Sequence, residues 1–98
     1  MIPEVAARLE TLRIASVATA QGYLLFTRDN CAAFAHERPE GVSLGSSGLM
    51  TETGLAFLVW REGQAYLAVH GAGQVPATPE QVTAVQHFSE DLKAALRP

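Results

Sequence analysis

A single cysteine, Cys31, serves the whole chain, so no intrachain disulfide can form and no secretory framework of bridges exists. A reducing, cytoplasmic setting is the expectation. Charge is also sparse. Only 17% of residues are Asp, Glu, Lys or Arg, against roughly 25% in ordinary domains. The net charge of −3 arises without any run of like sign and without a basic stripe. That disfavours binding to a phosphate backbone, which needs clustered cations, so no nucleic-acid partner is expected. No long apolar run is present either: the strongest, Leu55 to Trp60, falls far short of the ~20 residues a membrane-spanning helix needs. The opening segment carries Glu4, Arg8, Glu10 and Arg13 at spacings that solvate a helix and interrupt any signal-peptide core. A protein without export signal or membrane association is therefore predicted.

Signatures of catalysis are equally scarce. Gly45-Ser46-Ser47-Gly48 offers backbone N–H groups and hydroxyls but lacks the lysine and following helix of a phosphate loop. His70-Gly71-Ala72-Gly73 has no G-x-S-x-G elbow to accompany it, so an esterase is discarded. Cys31 opens a strand after a turn, with no base nearby in sequence to lower its pKa; a small core hydrophobe is the simpler role. His36 and His70 end strands that lead away from their hairpin turns, which would let them meet at one rim. Two imidazoles without a third ligand at a recognisable spacing make no metal centre. No metal and no cofactor are assigned, and His36, His70 and Cys31 stand only as candidates for the mouth of a ligand site.

What the sequence does hold is turn chemistry. Gln21-Gly22, Asp29-Asn30 and Glu62-Gly63 each separate runs suited to antiparallel strands. The first two predict a three-strand meander over residues 14–36. A two-residue loop at Gln21-Gly22 sets Val17 opposite Phe26. Asp29-Asn30 sets Phe34 opposite Leu25. Glu62-Gly63 predicts a hairpin of 55–61 with 64–70, Val59 facing Tyr66. Pro3, Val5, Leu9 and Leu12 mark a short amphipathic N-terminal helix, poorly capped by Ile2. Thr78, Pro79 and Gln81 announce a second helix with a capping box, running to about Arg97. Between Glu37 and Gly54, Pro39 and Gly41, Gly45, Gly48 and Gly54 break every period. A long loop is predicted there, with an edge strand at 42–44 or 49–51 as the alternative.

These elements compose one α+β domain over residues 1–98. Its sheet is mainly antiparallel with about five strands, a three-strand meander plus a hairpin, and the N- and C-terminal helices pack on one face. Phe57, Val59 and Tyr66 lie on one face of the strong hairpin, with Leu58, Trp60 and Leu67 on the other, so both faces are apolar while the helices cover only one. A symmetric partner subunit, the 37–54 loop, or an apolar ligand must cover the second. Closed two-fold dimers dominate soluble oligomers, so the leading expectation is a homodimeric interaction or scaffold module, with a further protein partner as an option. Phe57, Trp60, Tyr66 and Arg28 are the candidate interface residues. The alternative is a small-ligand sensor or minimal enzyme with a cavity between sheet and loop.

Overall fold

The computed structural model describes residues 3–52, 54–69 and 73–97. It is α+β: helix α1 (Pro3–Thr11), then seven strands, β1 (Ala15–Ala18), β2 (Tyr23–Arg28), β3 (Cys31–Arg38), β4 (Gly41–Thr51), β5 (Gly54–Arg61), β6 (Gln64–Val69) and β7 (Gly73–Pro76), and finally helix α2 (Pro79–Leu96). The strands form one antiparallel sheet in the order of the sequence, each beside its predecessor. The predicted number of about five is thus corrected to seven, the additions being β4 and β7.

β4 is the instructive difference, because eleven residues expected to form a loop make the middle strand of the sheet. Its glycines permit close approach. A Cβ on Gly48 would collide with the carbonyl oxygen of Ala56 on β5, and one on Gly45 would lie 3.0 Å from that of Phe34 on β3. The pairing with β3 also slips between Ala33 and Ala35: Ala35 faces Leu44, whereas Ala33 faces Ser47. The extra residue in β4 is a bulge. Before it Val42 and Leu44 turn to the helix side, and after it Leu49 does, so no single alternation runs through the segment.

The other hairpins follow their turns. Leu25 faces Phe34 across β2 and β3, and Val59 faces Tyr66 across β5 and β6, both as predicted. In the first hairpin the register differs by one residue: Val17 faces Leu25 instead of Phe26. Thr19 donates to Tyr23 O at 2.8 Å and accepts from Gly22 N at 3.1 Å, with Gly22 at φ 87°. The loop is therefore three residues, Ala20-Gln21-Gly22, a turn closed by a left-handed glycine. A slip of one residue exchanges faces, and it takes Val17 to the side of Leu25.

One face of the sheet carries both helices. Val5, Leu9 and Ile14 from the α1 region and Val85, Phe88, Leu92 and Ala95 from α2 close over Phe26, Cys31, Ala33 and Ala35. A smaller cluster of Ala56, Ala65, Leu67 and Ala77 lies beneath the start of α2. The capping box is complete: Gln81 N donates to Thr78 Oγ1 at 3.2 Å and Thr78 N to Gln81 Oε1 at 2.9 Å. α1 closes by a reciprocal pair, Ile14 N to Leu9 O and Arg13 N to Glu10 O, with Arg13 in the left-handed region. The position before it, and with it the expectation about Ile2 as its cap, lies outside the described residues. Arg8 ties the helices together, donating from Nε to Ala95 O at 3.0 Å and from a terminal nitrogen to Arg97 O.

Candidate functional site

Alternation along paired strands fixes the opposite face. Val17 of β1, Tyr23 and Leu25 of β2, Phe34 and His36 of β3, Met50 of β4, Leu55, Phe57 and Val59 of β5, and Tyr66 and Ala68 of β6 all share it. Neither helix reaches this side, and among the described residues no other element crosses it. β4, which makes up most of the segment expected as its possible cover, is part of the sheet itself. The cavity expected between sheet and loop therefore has no lid.

The face is apolar in its middle and polar at its ends. Ala32 is fully buried there, opposite Gly48, while Leu25, Phe34, Leu55, Phe57, Val59 and Tyr66 are half-buried. Val17 at 58%, Met50 at 47% and Tyr23 at 37% are its most exposed apolar groups. An aromatic side chain accounts for ~150–250 Å² and an aliphatic one for less, so these partly exposed side chains together leave on the order of 500 Å² of apolar surface. That is at the upper end of what monomers leave in water, roughly 300–600 Å². At one rim His36 stacks edge-on against Tyr23, with centroids 4.4 Å apart and planes at 67°; Tyr23 also meets Phe34 at 6.3 Å. A hollow of about 360 Å³ opens beside Thr19, Gln21, Tyr23 and Phe34. At the other side of the sheet Arg61 donates to the Gln74 side-chain oxygen at 2.9 Å, with the amide oriented to accept.

The four candidate interface residues divide between the two faces. Phe57 and Tyr66 sit on the open face. Trp60, paired with Ala65, lies on the helix side beyond the start of α2 and is 55% exposed. Arg28 also belongs to the helix side, where it meets an acid of its own chain: it donates to Asp91 Oδ2 at 2.8 Å and to Leu12 O at 3.2 Å, with its guanidinium 5.7 Å from the centre of the Phe88 ring. Arg28, expected at an interface, is engaged by Asp91 of α2 instead. Two residues that matter to the open face, Met50 and Val17, escaped the sequence reading. Met50 hid in the supposed loop, and Val17 was on the wrong side of a slipped register.

The two described ligand candidates, Cys31 and His36, do not come together. Cys31 is buried on the helix side, its thiol 3.6 Å from Ala84 O, and burial pushes its pKa up despite the opposing influence of Arg28. Such a thiol is a poor nucleophile. His36 is on the opposite face. His70 lies outside the described residues, but β6, which leads to it, runs antiparallel to β3, and its last residue Val69 stands in the row of Cys31, Leu49 and Ala56. The premise that β3 and β6 end at one rim therefore fails. No group of three or more metal-ligating side chains occurs among the described residues. No described helix is long and apolar enough to cross a membrane.

Compared with known proteins, the chain matches no family model, no curated protein and no solved structure.

Proposed function

We propose that this chain is a homodimeric interaction or scaffold module that buries the open face of its sheet against a second copy. What carries the reading is the uncovered apolar face of β2 to β6. Two copies would remove on the order of 1,000 Å² of apolar surface, and with a polar rim at ordinary proportions the interface reaches the standard size of about 1,600 Å². A sparse charge complement suits a chain with part of its surface covered, and a lone buried thiol suits a reducing cytoplasm. Phe57 lies near the middle of the face. Phe57→Asp places a carboxylate there and is expected to halve the assembled mass; an unchanged mass overturns the reading.

A further inference from the structure

The two edges of the sheet are built differently. β7 ends in Pro76, which has no N–H to offer, and the chain turns at once through Ala77, whose N–H is taken by Ala65 O at 3.0 Å. Proline is a usual device for blunting an edge. β1 is short, which limits how much edge it offers, but it has no proline of this kind. Its sequence is Ala-Ser-Val-Ala, without charge, proline or bulge; all four residues are exposed, and no described element lies alongside.

The hydrogen-bond phase of β1 determines what that edge presents. Thr19 N donates to Tyr23 O, so 19 and 23 form a hydrogen-bonded pair. In an antiparallel ladder bonded and non-bonded pairs alternate, so Ala15 and Val17 direct their N–H and C=O groups at β2. Ser16 and Ala18 direct theirs outward. We propose that this edge is a self-association site, at which Ser16 and Ala18 pair with Ala18 and Ser16 of a second copy across a two-fold axis at Val17.

Symmetry selects that register. Antiparallel pairing about a two-fold axis perpendicular to the sheet keeps the open faces on the same side, so residues on one face must meet residues on the same face. Pairing centred on Val17 satisfies this condition and bonds both outward residues of each copy, giving two hydrogen-bonded pairs. Centring on Ser16 bonds only one. The Val17 side chains then meet in a non-bonded pair, the closer of the two kinds, where two β-branched residues pack favourably. Ala15, Ser16 and Ala18 are small enough to obstruct nothing. The result is a sheet of fourteen strands, twice the seven of one chain, with its apolar face continuous across the junction.

The hydrogen bonds of this contact use the outward N–H and C=O groups of Ser16 and Ala18, which the face-to-face contact leaves free, so either contact can form without the other, the Val17 side chain alone bordering both. Together they close a tetramer of two facing sheets. Ser16→Pro removes only an outward N–H and leaves the bonds between β1 and β2 in place, so it separates edge from fold. Native mass measurement should give four times the 10.5 kDa chain mass for the wild type, half of that for Ser16→Pro and for Phe57→Asp, and single chains for the double variant. Val17→Cys should give a disulfide-linked dimer on exposure to oxidised glutathione. If Ser16→Pro retains the wild-type mass, the edge proposal is overturned while the face reading stands. If Ser16→Pro halves the mass and Phe57→Asp does not, the edge stands and the face reading fails. A foreign extended segment retained by the wild type and released by Ser16→Pro would overturn the second copy as occupant.

Discussion

Arg13 occupies a position that suits glycine. Its φ of 59° closes α1, and for a residue with a Cβ this conformation costs roughly 1–2 kcal/mol. The side chain is exposed, so little is lost with it. Arg13→Gly is expected to stabilise the fold by about 0.5–1 kcal/mol, read as a raised denaturant midpoint; a lowered midpoint would show that the arginine side chain matters more than its backbone. Cys31 gives a second prediction. Burial holds the proton on its thiol more firmly in the folded chain than in the unfolded one. Between those two pKa values the folded state binds more protons, so stability should fall as pH rises past the ordinary thiol range and be unaffected below it. Alkylation by iodoacetamide at neutral pH should accordingly be slow in the native protein and rapid in denaturant. Fast native labelling would contradict the placement of Cys31 under α2.

At the scale of elements, β4 shows where sequence and structure part. The helices were legible, because caps and stripes are local: Thr78, Pro79 and Gln81 mark the start of α2 without reference to any other part of the chain. Two of the three predicted hairpins were legible as well, since Asp29-Asn30 and Glu62-Gly63 fix pairing within a few residues. Glycines at 45 and 48 read as breakers because their local meaning is flexibility, whereas their use here is to admit the backbones of β3 and β5. That use is set by residues distant in sequence. The bulge beside them shifts the apolar alternation by one residue, which hides the strand from any period-two reading. Gly48→Ala tests this account. The added methyl meets backbone, which cannot swing aside, so a loss of about 1–3 kcal/mol or more is expected in denaturant unfolding. An alanine accepted without loss would mean that β4 and β5 are not so closely paired.

For the whole molecule, the decisive relation is between seven strands and two helices. α1 and α2 suffice for one face, tied to each other by Arg8 and to the sheet by Arg28, Asp91 and Phe88. The sequence already showed apolar residues on both sides of the strong hairpin, and this part of the candidate site was legible. Its extent was not, because Val17 and Met50 depend on a turn length and a strand that only the assembled sheet determines. Of the interface candidates Phe57 and Tyr66 remain on the uncovered face, while Arg28 is engaged within the chain. Met50 stands on that face 47% exposed, so Met50→Glu should disrupt association with little effect on the fold. Native mass spectrometry of the freshly purified wild-type chain at micromolar concentration addresses the central claim most directly. An even multiple of the 10.5 kDa chain mass with nothing else retained is the predicted result, and a lone 10.5 kDa chain would contradict it.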